Sequence, residues 1–332
     1  MSRSVDPTLS ASPSDPDRSM PSAPSASGAE LVEPKKSLFA IWCAAARPRT
    51  LSAALSPVLL GAAIAYGDRV LHAWSVVAAL AAATFIQIGT NFANDYFDFV
   101  KGTDDEARIG PARATARGWV RPRTMAIATV LAFGLATLCG VYLIVRGGPV
   151  ILGVGVLSIL SGVLYTGGPK PLGYLGLGDV FVLVFFGPVA VAGTYWVQAR
   201  SLSTPAIVAG FATGALATAI LVVNNLRDRV GDARSGKRTL VVRFGEAFGR
   251  VQYAACFVLA AGLTALLALL RPDKAQVLFA LVFLVPATVA VWAMRRCDGR
   301  ALNPWLGRSA AIQVFHALMV GVLWCWPSDA PV

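Results

Sequence analysis

Long uncharged stretches are the feature that most constrains how this chain can fold. Nine runs of 18 to 26 residues contain no Asp, Glu, Lys or Arg: 50–67, 70–94, 124–145, 147–169, 180–199, 201–226, 251–270, 275–294 and 309–328. A helix of about 20 apolar residues crosses about 30 Å of hydrocarbon, so each run is long enough to span a bilayer. We therefore expect an all-α integral membrane protein with nine transmembrane helices.

The composition excludes the main alternatives to a helical membrane protein. Hydrophobic residues make up 56% of the chain and charged residues 14%, whereas soluble domains carry about 25% charged residues. The strands of a membrane β-barrel alternate apolar and polar residues, but these runs are apolar on every face. The sequence therefore predicts helices in a lipid bilayer.

The distribution of basic residues predicts the orientation of the chain. With the N-terminus in the cytoplasm, 24 of the 29 Lys and Arg residues fall in segments on the inner side. Short cytoplasmic loops carry such an excess, and the odd number of spans then places the C-terminus outside. Topology explains most of the net charge of +11, so no nucleic-acid partner is expected.

The N-terminal segment, the cysteines and the histidines give further expectations for domain boundaries and for disulfide, zinc and histidine sites. Residues 1–34 are rich in Ser, Pro and Ala, so we expect a disordered leader before a single transmembrane domain at 35–328. The five cysteines lack CxxC spacing, and the two histidines have no partners at catalytic spacing. A disulfide framework, a zinc site and a histidine triad are therefore not expected, and no obligate protein partner is readable.

Two clusters of Asn and Asp lie where the second and sixth predicted helices reach the inner surface. The strings are NFANDYFDF and NNLRDRVGD, and in each the polar residues fall on one face of a helix. The first set is Asn91, Asp95 (or Asn94) and Asp98, and the second is Asn224, Asp228 and Asp232. Carboxylates at a membrane boundary are costly without a partner, so both clusters are candidate functional sites.

Magnesium and a diphosphate would explain why two acidic clusters occur together. Carboxylates repel one another at low dielectric unless cations intervene, and Mg²⁺ is commonly held by one or two carboxylates plus substrate phosphates. A basic segment follows each cluster: Lys101, Arg108, Arg113 and Arg117 after the first, and Arg227, Arg229, Arg234, Lys237 and Arg238 after the second. The pattern predicts a diphosphate site.

Two other interpretations of these clusters remain open. In one, the aspartates merely end helices and the arginines merely enforce topology. In the other, the protein is a transporter, although transporters usually place ionisable residues near the bilayer midplane. In this chain the acidic residues gather at helix ends on one side.

The two acidic motifs resemble those of the UbiA superfamily of intramembrane prenyltransferases, from about residue 36 to residue 326. Four strings resemble the members that act on 1,4-dihydroxy-2-naphthoate in menaquinone synthesis: RPRTL (47–51), NDYFDFVKGTD (94–104), YTGGPKPLGYLGLGD (165–179) and NNLRDRVGDARSGKRTLVVRFG (224–245). The resemblance implies a nine-helix bundle around a cavity, in a bacterial cytoplasmic membrane, with the mouth on the cytoplasmic side. It also implies two Mg²⁺ ions and a polyprenyl diphosphate.

The resemblance also implies roles for individual residues. It assigns Asn91, Asp95, Asp98, Asn224, Asp228 and Asp232 to the metal ions, and Lys101, Arg108, Lys237, Asn91 and Asn224 to the diphosphate. The loop between the fourth and fifth helices carries Tyr165, Lys170 and Tyr174 above the same mouth, as contacts of the acceptor or as part of the loop. For Asp179, a catalytic base and a helix N-terminal cap remain equal alternatives.

The implied reaction transfers the polyprenyl group to 1,4-dihydroxy-2-naphthoate, releases CO2 and diphosphate, and gives demethylmenaquinone. The acidic clusters specify the diphosphate and not the acceptor. A related prenyltransferase that uses 4-hydroxybenzoate or another aromatic acceptor is therefore an open alternative, and the prenyl chain length is not readable from the sequence.

Overall fold

The computed structural model describes residues 37–102, 109–110 and 112–327, and every regular element in this part is helical. Residues 1–36, which contain the predicted leader, lie outside it. The α-helices are α1 Leu38–Ala46, α2 Pro48–Gly67, α3 Ala73–Val100, α4 Pro122–Gly147, α5 Pro149–Leu164, α6 Gly178–Val184, α7 Ala190–Ala199, α8 Thr204–Arg234, α9 Leu240–Leu270, α10 Leu284–Met294 and α11 Asn303–Cys325. A π turn, Phe185–Val189, joins α6 to α7, and 3-10 helices at Pro272–Phe283 and Gly299–Leu302 precede α10 and α11.

The helical membrane architecture that the sequence predicts is confirmed. Eight helical segments within the described ranges are long and apolar enough to cross a bilayer, and Gly178–Ala199 forms one of them from α6, the π turn and α7. The remaining predicted span, 147–169, coincides with α5, which is apolar but has only 16 residues. The count of nine crossings therefore stays a prediction.

Two helices continue well beyond their uncharged runs. Helix α3 extends from the end of its uncharged run at residue 94 to Val100, and α8 extends from the end of its run at residue 226 to Arg234. Both extensions carry the predicted acidic motifs. The ends of the uncharged runs therefore do not mark the ends of the helices, because polar residues continue a helix where they face a polar interior.

Helix α8 is the most buried of the eight spans, and glycines bring it close to the kinked crossing of α6 and α7. In its most apolar stretch of 18 residues, 78% of the residues are buried, against at most 56% in the corresponding stretches of the other seven spans. A Cβ added at Gly214 would lie 2.2 Å from the carbonyl oxygen of Leu183, and one added at Gly210 would lie 2.6 Å from Cα of Pro188. Small residues permit such close backbone approach between membrane helices.

The segments that the sequence predicts on the inner side gather at one end of the bundle. The backbone N–H of Arg238 donates to the carbonyl oxygen of Tyr174 at 3.0 Å, and Lys101 Nζ donates to the carbonyl oxygen of Thr166. At the other end, Asp68 accepts hydrogen bonds from Tyr195 at 3.0 Å and from Trp324 at 3.3 Å. Which end faces the cytoplasm stays a prediction.

Gly214→Ala is expected to lower the thermal unfolding midpoint of the detergent-solubilised protein, measured by circular dichroism. The added methyl group forces α8 away from α6, and overpacking of this kind costs about 1–3 kcal/mol. Gly134→Ala on α4 is the matched control, because nothing lies within 4 Å of its added Cβ. There the midpoint should stay equal or rise slightly. Equal midpoints for the two variants would contradict the close crossing.

Cysteine labelling is expected to show that the α7–α8 loop is outside. In a variant without the five native cysteines, Ser201→Cys should react with a membrane-impermeant maleimide added to spheroplasts. Ala233→Cys, at the end of α8, should react only after permeabilisation. Both positions are exposed in the structure, and the basic excess places them on opposite sides. The reverse labelling pattern would overturn the predicted orientation.

Candidate active site

A cavity of about 780 Å³ opens inside the bundle and joins a polar end to an apolar end. The polar end lies where α3 and α8 finish and includes Asp98, Asp228 and Asp232. The apolar end is lined by α3, α4, α5 and α7, with Ala79, Leu143, Ile151, Val197 and neighbouring residues. One continuous space can therefore accept a charged group and a long apolar chain.

One face of α3 brings Asn91, Asn94 and Asp98 to the cavity. The amide nitrogen of Asn91 donates to the carbonyl oxygen of Ala46 at 2.9 Å and to the Thr50 hydroxyl at 3.0 Å. These bonds fix the amide, so its carbonyl oxygen is the atom suited to bind a ligand.

Asp95 has a different position, because neighbouring residues on a helix point about 100° apart. Its side chain does not line the cavity but is buried, and its two oxygens accept the backbone N–H groups of Ala114 at 2.9 Å and Thr115 at 3.0 Å. It therefore holds the turn that contains Arg113. Of the two residues proposed for this helical position, Asn94 faces the cavity, and the geometry does not support Asp95 as a metal ligand.

Helix α8 presents Asn224, Asp228 and Asp232 to the same cavity. Arg227, which is 3% exposed, fixes the first two. Its guanidinium donates to both oxygens of Asp228, at 2.8 and 2.6 Å, and to the Asn224 carbonyl oxygen at 2.8 Å. A fourth bond, to Asn303 at 3.2 Å, ties this cluster to α11.

Each of the three carboxylates that line the cavity is paired with a basic side chain. Asp98 pairs with Arg113, Asp228 with Arg227, and Asp232 with Lys237, whose Nζ lies 3.3 Å away. Burial alone would lower the pKa of Lys237, but the negative charges of Asp98 and Asp232 outweigh it and raise the pKa. Lys237 therefore carries its charge in the site.

The other predicted diphosphate-binding residues are less central. Lys101 lies at the mouth, where its ammonium also donates to the carbonyl oxygen of Gly168 at 3.3 Å. Partial burial lowers its pKa, while the charge of Asp98 opposes that change. Arg108 lies outside the described residues.

The loop between α5 and α6 brings Tyr165 and Tyr174 to the cavity but not Lys170, which is exposed. The Tyr165 hydroxyl can donate a hydrogen bond.

Asp179, in the first turn of α6, does not line the cavity either. Its carboxylate is buried and accepts a hydrogen bond from Gln252 of α9 at 2.8 Å. This contact ties α6 to α9, and the geometry does not support a catalytic base at this position.

Three arginines at the polar end were missed as site residues. Arg113 and Arg227 were recognised only as parts of basic segments, and Arg47 only as part of the RPRTL string. Arg47 and Arg113 line the cavity, and Arg47 connects α1 to α2 with a positive φ of 54°. The position of Arg227 between Asn224 and Asp228 was a signal, since residues three apart on a helix are neighbours.

Comparisons with known proteins agree with this geometry. The model of the UbiA prenyltransferase family matches residues 54–319. The 1,4-dihydroxy-2-naphthoate octaprenyltransferase of Mycobacterium tuberculosis is 40% identical over 286 residues, covering 85% of this chain and 96% of the relative. The Escherichia coli K12 protein of the same name is 37% identical, covering 84% of this chain and 93% of the relative.

Solved structures share the fold at low sequence identity. A UbiA homolog from Archaeoglobus fulgidus bound to DMAPP and Mg²⁺ superposes with a TM-score of 0.61 at 14% identity, covering 85% of this chain and 99% of that one. The same homolog bound to GPP and Mg²⁺ gives a TM-score of 0.60. With its apolar helices and a family match over most of its length, the chain is a multi-pass membrane protein that belongs to the UbiA prenyltransferase family.

Proposed function

We propose that the protein transfers a polyprenyl group from polyprenyl diphosphate to 1,4-dihydroxy-2-naphthoate and releases CO2 and diphosphate, which gives the reduced, quinol form of demethylmenaquinone. The observation that carries this proposal is the cavity with Asp98, Asp228 and Asp232 at one end and apolar walls at the other. Relatives that are 37% and 40% identical over most of the chain have this activity in their names. Their names also favour the naphthoate over other aromatic acceptors.

Magnesium suits the side chains at the polar end. The cavity offers carboxylate oxygens and the amide oxygen of Asn91, and Mg²⁺ prefers oxygen ligands. No three His, Cys, Asp or Glu side chains within the described ranges form a metal site by themselves. The protein would therefore hold magnesium together with diphosphate oxygens, and we propose one ion for each acidic cluster, with Asn91, Asp98, Asn224, Asp228 and Asp232 as ligands.

The reaction follows from the charge around the leaving group. Bound magnesium supplies positive charge that stabilises the departing diphosphate. The basic residues Arg113 and Lys237 line the same end of the cavity and add to that stabilisation, and Arg227 holds Asp228 beside them. Breaking the C–O bond leaves an allylic cation. The naphthoate ring attacks it through the carboxyl-bearing carbon, a C–C bond forms, and the bond to CO2 breaks.

The rest of the cavity serves the cation and the acceptor. Its apolar walls exclude water, which would otherwise capture the cation. We assign the neutral hydroxyl of Tyr165 as a hydrogen-bond donor to the oxygen atoms of the acceptor. Lys101 and Lys170 remain proposed contacts of the substrates near the mouth, and Arg108 remains a proposed contact of the diphosphate.

The proposed location is a bacterial cytoplasmic membrane with the mouth of the cavity on the cytoplasmic side. The excess of Lys and Arg at the ends of α3 and α8 supports this orientation. The polyprenyl tail is insoluble in water, so a site inside the bilayer receives it without extraction from the lipid.

Asp228→Asn and Asp232→Asn are expected to lower the rate of product formation by about 100-fold, because each removes a negative charge that would hold magnesium. The assay gives the detergent-solubilised protein 1,4-dihydroxy-2-naphthoate, a polyprenyl diphosphate and magnesium, and measures demethylmenaquinone and CO2. Removal of magnesium with a chelator should abolish both products.

Asp273→Asn is the matched control for these variants, because Asp273 pairs with Arg271 away from the cavity. Its activity should equal that of the parent. Prenylation of 4-hydroxybenzoate in place of the naphthoate would overturn the acceptor assignment. If the aspartate variants keep full activity, the metal assignment is wrong, and magnesium-dependent binding without any prenyl transfer would favour the transporter.

Gly155→Phe is expected to shorten the longest prenyl chain that the protein transfers. Gly155 lines the cavity, and nothing lies within 4 Å of an added Cβ, so the new ring would occupy the apolar end. Gly153→Phe is the control, because Gly153 lies on the same helix with open space beside it but does not line the cavity. The measurement is product length by mass spectrometry with diphosphates of increasing length. The same product lengths for both variants would contradict this path for the tail.

A further inference from the structure

Two lysine ammonium groups lie within cation–π distance of the Tyr174 ring. Lys101 Nζ lies 5.0 Å from the ring centroid, and Lys237 Nζ lies 5.3 Å from it. An aromatic ring attracts cations within about 6 Å of its centroid, because its faces carry partial negative charge. One side chain therefore contacts two cations.

The two lysines belong to the two different acidic motifs. Lys101 follows the last residue of α3, three positions after Asp98, and Lys237 follows the end of α8, five positions after Asp232. The ammonium of Lys237 also lies 3.3 Å from Asp232. Through the Tyr174 ring, the basic residues that follow both motifs meet at the mouth of the cavity.

The two ammonium groups repel one another. The charge of Lys237 contributes to lowering the pKa of Lys101, after the larger effect of burial. Like charges stay close only where neighbouring groups offset their repulsion, and Asp98 does so for Lys101 while Asp98 and Asp232 do so for Lys237. The electron-rich ring of Tyr174 is in contact with both ammonium groups.

Hydrogen bonds to backbone carbonyl oxygens connect the segment that carries Tyr174 to the segment that follows α8. Its carbonyl oxygen accepts the N–H of Arg238 at 3.0 Å. The guanidinium of Arg243 donates to the carbonyl oxygens of Leu175, at 2.8 Å, and Arg238, at 3.0 Å. The segment around Tyr174 is thereby tied to the segment that contains Lys237.

We propose that Tyr174 is a positioning residue, whose ring holds the ammonium groups of Lys101 and Lys237 together where the diphosphate of the prenyl substrate binds. This inference rests on the proposed function. It places Tyr174 on the diphosphate side of the site, whereas the resemblance gave it as a contact of the acceptor or as part of the loop. The ring and not the hydroxyl performs this role.

Tyr174→Leu is expected to raise the KM for polyprenyl diphosphate by about tenfold, because it removes two cation–π contacts. The KM for the naphthoate should stay within about twofold of the parent value. Tyr174→Phe keeps the ring and should restore the parent KM for the diphosphate. If the Phe variant is as impaired as the Leu variant, or if the KM for the acceptor rises instead, the inference is wrong.

Arg243→Gln is the control for a loosened loop. It removes two contacts that anchor the segment but leaves the Tyr174 ring and both lysines in place. We expect its KM for the diphosphate to stay within about twofold of the parent value. A tenfold increase would show that anchoring of the loop is sufficient, and would overturn the role of the ring.

Calorimetric binding of inorganic diphosphate with magnesium separates this inference from the proposed function. Affinity that falls about tenfold in Tyr174→Leu and recovers in Tyr174→Phe supports the positioning role, even if the parent transfers no prenyl group to either acceptor. Absence of prenyl transfer by the parent would contradict the proposed function but not the positioning role. Equal affinity in the parent and in Tyr174→Leu would overturn the inference.

Discussion

The pairing of buried carboxylates with basic side chains at the ends of α3 and α8 is the interaction on which the rest of the structure depends. A carboxylate inside a bundle loses its hydration, and only a close cation with further hydrogen bonds offsets that cost. Arg113, Arg227 and Lys237 supply the cations for the three carboxylates in the cavity. These pairs allow both helices to extend beyond their uncharged runs, and they place a polar chamber beside the apolar interior.

The apolar interior depends on a different constraint, the uneven packing around α8. On one side, Gly210 and Gly214 bring this helix into backbone contact with the α6–α7 crossing. On another side, Ala217, Ile220 and Leu221 line the cavity. The close packing of α8 against α6 and α7 stabilises the bundle. The other side of α8 can therefore remain open as the wall of the cavity.

The membrane helices and the faces of the acidic motifs were predictable, because crossing hydrocarbon is a property of composition and the spacing of side chains is a property of the helix. Asn224, Asp228 and Asp232 illustrate this success in geometry, since all three line the cavity. The choice between Asn94 and Asp95 was not predictable, because it depends on a small rotation of α3. The pairing of Arg113 with Asp98 depends on the path of a loop, and the contact of Asp179 with Gln252 depends on how α6 packs against α9. Local sequence patterns carry no information on these two long-range contacts.

The π turn at Phe185–Val189 affects the orientation of the whole of α7, which follows it. Such a turn accommodates one residue more than a regular α-helix does. It separates Phe181, which lines the cavity before the turn, from Gly193 and Val197, which line it afterwards. Gly187 within this turn departs from helical backbone angles, with φ -111° and ψ -115°, so the kink sets which side chains of α7 form the wall. Insertions and deletions in this crossing are therefore a route by which related sequences can acquire a differently shaped cavity while the sequences on either side of the crossing are retained.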